Sequence, residues 1–121
     1  MNEVKLSGRL VKDPEIRYTP SGKVVCQFSL AVERFLADKN GNKEADFIPI
    51  VMWGKLAELA GNSLSRGKKV LISGHLRVRT YQVNSVRRWI TEVQANAMEY
   101  MSNAPQQKDE FVSFGDEVQQ A

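Results

Sequence analysis

The sequence predicts an all-β fold: a small barrel of five strands, with one short helix between the third and fourth and a disordered C-terminal tail. Three observations predict it. Apolar and polar residues alternate through most of residues 4–101, the period of a half-buried strand. The period turns helical only once, over 54–67. Pro, Gly and Asn-Gly punctuate the alternating segments where turns are needed.

VKLSGRL (4–10) puts Val4, Leu6, Gly8 and Leu10 on one face and Lys5, Ser7 and Arg9 on the other. Gly8 within it marks a bulge or a close backbone approach. KDPEIRYTPSGK (12–23) is rich in turn residues, and Pro20 and Gly22 fit the second and fourth positions of a type I turn. VVCQFSLAVE (24–33) points Val24, Cys26, Phe28, Leu30 and Val32 inward. DKNGNK (38–43) reads as a hairpin loop around Asn40-Gly41. The third strand covers 44–53, and Pro49, which has no N–H, places it at an edge or at a bulge.

Leu56, Leu59, Ala60 and Leu64 then follow helical spacing, with Gly67 as the stop and Gly61 keeping the helix short. Residues 68–81 alternate again: Val70, Ile72, Leu76 and Val78 against Leu71, His75, Arg77, Arg79 and Tyr81. QVNSVRR (82–88) reads as a loop. Residues 89–101 form the fifth strand, with Trp89 in phase with Thr91, Val93 and Ala95. Phe28 and Trp89 share a phase with small or aliphatic residues and are expected in the core. From Ser102 the chain is polar and aperiodic, a disordered acidic tail over 102–121 beside a folded domain over 1–101.

Three strands, a helix and two strands make the plan of the five-stranded Greek-key barrel called the OB-fold. A parallel α/β fold would need more helices. In an OB-fold the second and third strands bind ligand, together with the loops between strands one and two and between four and five. Those loops carry Lys12, Arg17, Tyr18 and Lys23, then Arg87 and Arg88.

At 121 residues the chain is one domain's worth, and its 42% hydrophobic and 26% charged residues are ordinary for a globular protein. The net charge of +3 hides an asymmetry. Residues 1–100 hold 16 Lys and Arg against 10 Asp and Glu, whereas 101–121 carry a net −3. A basic body with an acidic tail suits a polyanionic partner. The single cysteine, Cys26, excludes an internal disulfide and falls on a core phase. No run is long enough for a membrane span, and the N-terminus lacks the apolar block of a secretory signal. A cytoplasmic protein is expected.

The chemistry-bearing residues are aromatic and basic. Phe47 and Trp53 lie six apart on one strand and share a face; Arg77, Arg79 and Tyr81 do the same on another. Flat rings beside cations suit single-stranded nucleic acid, whose bases stack and whose phosphates attract Lys and Arg. For Phe47 and Trp53, pattern alone leaves core and surface open. Arg34, Lys55, Arg87 and Arg88 are further candidate phosphate contacts. His75 is the only histidine, and no metal-ligand spacing or glycine-rich phosphate loop is present. No catalytic residue, metal or cofactor is expected.

Together, GRLVKDPEIRYTPSGKVV, FSLAV, ADFIPIVMWGKLAE, RGKKVLISGHLRVRTY and TEV resemble the bacterial-type single-stranded DNA-binding proteins, in order from Val4 to about Met101. The resemblance implies an OB-fold protomer, a homotetramer, and sequence-independent binding of single-stranded DNA in replication, recombination and repair, in the cytoplasm at the nucleoid. It also implies base stacking by Phe35, Phe47, Trp53 and Tyr81, and so moves Phe47 and Trp53 to the binding face. Family members that recruit replication and repair proteins usually end in Ile-Pro-Phe. FVSFGDEV resembles the stretch before that ending, but VQQA follows it here, so weak recruitment is expected. The competing expectations are an OB-fold protein-interaction module of a replication-restart complex and a binder of structured RNA.

Overall fold

The computed structural model describes residues 1–101. The expected acidic tail over 102–121 lies outside the described residues. Six strands and one helix follow in order: β1 (Val4–Leu10), β2 (Glu15–Tyr18), β3 (Val24–Glu33), β4 (Ala45–Trp53), α1 (Gly54–Ser63), β5 (Lys69–Val83) and β6 (Val86–Tyr100).

The sheet runs β1-β5-β6-β4-β3-β2 and closes where β1 also pairs β3, Arg9 against Ala31 and Leu10 against Leu30. The pairing of β4 with β6 is parallel and the others are antiparallel. Together with the helix between β4 and β5, this is the expected OB-type barrel. Alternation decides the inside. Leu10, Cys26, Phe28, Leu30, Ile50, Met52, Val70, Ile72 and Val93 fill it, and Ala57, Ala60 and Leu64 of the helical segment complete the core. Each buried aliphatic side chain contributes about 1.5–3 kcal/mol.

Two glycines have steric reasons. A Cβ on Gly8 would run into the carbonyl of Ala31 where the barrel closes, so Gly8 is the close approach its strand pattern suggested. Gly54 has φ 67, the left-handed turn that swings the chain from β4 into α1. Thr19–Gly22 closes the expected turn, with the Gly22 N–H donating to the Thr19 carbonyl at 2.8 Å. Pro49 is tolerated because β6 begins to pair β4 only at Ile50, so β4 has one open side at the proline.

Three expectations fail. The segment read as a continuous turn contains β2, whose Glu15–Tyr18 pairs Gln27–Val24 of β3. The segment read as a loop over 82–88 is the end of a long hairpin. Asn84 and Ser85, with φ 51 and 68, form its two-residue turn, and pairing runs down to Val83 against Val86. Thirdly, Trp89 is not in the core but 64% exposed. Its phase is that of buried Val93 and Ala95, yet the hairpin has by then left the barrel and no described residue covers it. Leu76 and Val78 are exposed for the same reason. In α1, Leu59 also faces outward while the smaller Ala57 and Ala60 pack inward.

The hairpin is braced where it departs. Asn2 uses its side-chain amide as one more strand residue, donating to the Leu76 carbonyl and accepting from the Leu76 N–H, both at 2.9 Å. Asn96 is an extra residue in β6, between the pairs Ser73–Ala97 and Gly74–Ala95, and its side-chain oxygen lies 3.2 Å from His75 Nδ1.

Candidate nucleic-acid interface

Registers between neighbouring strands fix which side chains share a surface. Across β3 and β4, Trp53 is opposite Val25, Val51 opposite Gln27, Pro49 opposite Ser29 and Phe47 opposite Ala31. These residues are out of phase with buried Cys26, Phe28, Ile50 and Met52, so they form the outer face. The β4–β6 pairing sets Val51 beside Gln94 and carries that face onto the hairpin. There Arg77 is opposite Glu92, Arg79 opposite Ile90 and Tyr81 opposite Arg88. One continuous outer surface therefore holds Phe47, Trp53, Arg77, Arg79, Tyr81 and Arg88.

The rings on it are accessible. Trp53 is 42% exposed, and Phe47 and Tyr81 are also exposed. Phe35 is 93% exposed and stands apart, in the loop between β3 and β4. That loop is tied by Arg34, which pairs with Glu44 and Asp46, and by Asp38, whose carboxylate accepts from the N–H groups of Asn40 and Asn42. Lys55 is exposed at the first turn of α1, two residues after Trp53.

The cations differ in their partners. Arg77 donates to the neutral Gln94 side chain at 3.3 Å. Arg79 is paired with the carboxylate of Glu92 at 3.2 Å. Arg87 is not brought to this face. It lies opposite Gln82 on the reverse of the hairpin, in phase with Trp89.

Pattern reading put Arg17 in a binding loop rather than on a strand, and did not single out Gln27, Ser29 and Glu92. Arg17 lies opposite Val25, which lies opposite Trp53, so the guanidinium shares the outer face with the indole. The alternation Glu15, Ile16, Arg17, Tyr18 was the available signal, masked by the flanking prolines and glycine. Among the described residues, no group of three or more His, Cys, Asp and Glu is placed to hold a metal, and no helix is long and apolar enough to cross a membrane.

A profile described as the single-strand binding protein family matches residues 1–101. The chain belongs to that family. A single-stranded DNA-binding protein 2 of Clostridium acetobutylicum is 44% identical over 122 residues, covering 99% of this chain and 91% of the relative. A single-stranded DNA-binding protein of Clostridium tetani is 48% identical over 103 residues, 84% of this chain and 70% of its own. One from Listeria monocytogenes is 44% identical over 102 residues, 84% of this chain and 64% of its own. In this single-strand binding family member the four rings Phe35, Phe47, Trp53 and Tyr81 are all exposed.

Proposed function

We propose that this protein binds and protects single-stranded DNA without regard to sequence during replication, recombination or repair. Residues 1–101 are the binding unit. The observation that carries the reading is the single outer surface that holds Phe47 and Trp53 on β4 and Tyr81, Arg77, Arg79 and Arg88 on the hairpin. Bases stack on the rings, and every base has a face to offer. Guanidinium groups draw in the phosphates and release their counterions. Phe35 extends the stacking path beyond the sheet; Lys55 and Arg17 flank Trp53 as phosphate contacts. No covalent chemistry is assigned to the protein.

The assembly is a homotetramer of the cytoplasm, associated with the nucleoid. Among the described residues, Val4–Ser7 pair with β5 on one side only, and this edge of β1 supports pairing between copies.

One titration of single-stranded DNA, single-stranded RNA and duplex of equal length tests the function. Tight binding of the single-stranded DNA, weaker binding of the duplex and steep loss with salt are expected. Binding to none of them would leave the protein-interaction reading of the same surface in its place.

A further inference from the structure

In the outer surface lies an open cavity of about 300 Å³, bounded by the loop after β1, by β3 and β4, and by the hairpin. Its walls include Pro49 and Val51, and its polar groups include Gln27, Ser29, Arg79 and Glu92. The volume is at the small end of ligand pockets, about 300–1,000 Å³, which suits one flat ring system better than a larger ligand.

Glu92 is the unusual member. It is only 7% exposed, although it sits on the face that points away from the core. A buried carboxylate is costly unless its oxygens are paired. Arg79 donates to Oε1 at 3.2 Å, and among the described residues Oε2 has no protein donor. The other carboxylates of the cavity, Asp13 and Glu15, are exposed, so water can satisfy their free oxygens. Asp13 accepts from the Arg66 N–H at 2.8 Å, and Glu15 pairs with Arg17 at 3.1 Å. The lining thus includes one half-buried guanidinium, the exposed Lys12, apolar walls and one buried carboxylate with an oxygen in need of a donor.

We propose that this cavity seats a base whose amine is on pyrimidine C4 or purine C6, cytosine or adenine, with that amine donating to Glu92. The inference rests on the single-stranded DNA reading above and adds a local base preference to it. Glu and Asp accept from the cytosine N4 amine. A carbonyl at the same ring position would set lone pairs against the carboxylate, leaving both unsatisfied. Stacking on the exposed rings accepts every base, so it is a preference for the amine that depends on Glu92 that is assigned to the cavity.

Oligomers of dC and dU, about 16 nucleotides long to suit one OB-fold, differ at this position by amine against carbonyl. Measured on the full chain at neutral pH and fixed salt, the dC oligomer is expected to bind about fivefold more tightly. Oligomers of dA and dI make the same comparison for a purine; the pair that shows the preference tells which ring the cavity seats. Glu92→Gln should abolish or invert the preference, because its amide donates to the carbonyl. Ser29→Val, at an exposed strand position, fills the cavity with methyl groups and leaves Glu92 in place; it too should reduce the preference. Equal affinities within both pairs, or a preference that survives Glu92→Gln, overturn the proposal. If no oligomer binds at all, it is the single-stranded DNA reading that fails.

Discussion

Arg34 donates from Nε to Asp46 Oδ1 at 3.0 Å, so a guanidinium expected to meet phosphate already holds a carboxylate. Its Nη1 is 3.1 Å from Glu44 Oε1 as well. The hydrogen bond to Asp46, then the charges of Asp46 and Glu44, push its pKa further above an already high value. Its charge is partly spent within the loop that presents Phe35.

Salt dependence separates the arginines. Arg77, whose partner is the neutral Gln94, should contribute a full phosphate contact, so Arg77→Ala is expected to flatten the log–log salt slope by about 0.7. Arg34→Ala should leave the slope nearly unchanged and lower affinity through a looser Phe35. Equal flattening by both variants would mean that Arg34 exchanges its carboxylates for DNA.

Stacking can be measured residue by residue. Trp53→Ala and Tyr81→Ala should each weaken binding to poly-dT by about 1–3 kcal/mol. Both tryptophans are exposed, but only Trp53 is on the proposed binding face. Fluorescence quenching by DNA should therefore persist in Trp89→Phe and largely vanish in Trp53→Phe. The reverse pattern would place DNA on the other side of the hairpin.

Assembly has its own signature. Leu76, Val78 and Trp89 leave an apolar surface on the reverse of the hairpin, which a second copy would cover. Light scattering at micromolar concentration should report a tetramer, and dilution should shift Trp89 emission to the red in a Trp53→Phe background. A monomer with concentration-independent emission would remove the oligomer from the proposal.

Cys26 offers a test of the core. Burial raises its thiol pKa, because a thiolate there would lose its hydration. In the unfolded chain the thiol ionises near about 8.5. The raised folded value means that the stabilisation is complete below that pH and is lost as pH rises through and beyond it. Chemical unfolding should show this decline above about pH 8.5, and Cys26→Ala should lack it. Rapid labelling of Cys26 by a thiol reagent in the native protein would contradict its burial.

Much of this molecule is local and therefore legible in the chain. Alternation in VVCQFSLAVE and in VKLSGRL decides which side chains face inward, because successive residues of any strand point to opposite sides. The turn at Thr19–Gly22 and the single helix follow from the intrinsic preferences of Pro, Gly and helically spaced leucines. The pairing of Arg77, Arg79 and Tyr81 on one face needed nothing more than spacing. Family resemblance, rather than periodicity, brought Phe47 and Trp53 to the surface in advance, since a strand period says that two residues share a face and not which face it is.

What tertiary structure alone decided is where strands end and what lies beneath them. Trp89 has the phase of a core residue, but the hairpin outruns the barrel, so burial depends on the length of neighbouring strands and not on its own sequence. Arg87 and Arg88 are adjacent in the chain and end on opposite faces, because the Asn84-Ser85 turn fixes the register. The pairing of Arg34 with Asp46 across the loop, and the cavity around Glu92, join residues from distant segments. A sequence specifies such contacts only through the closed sheet that brings those segments together.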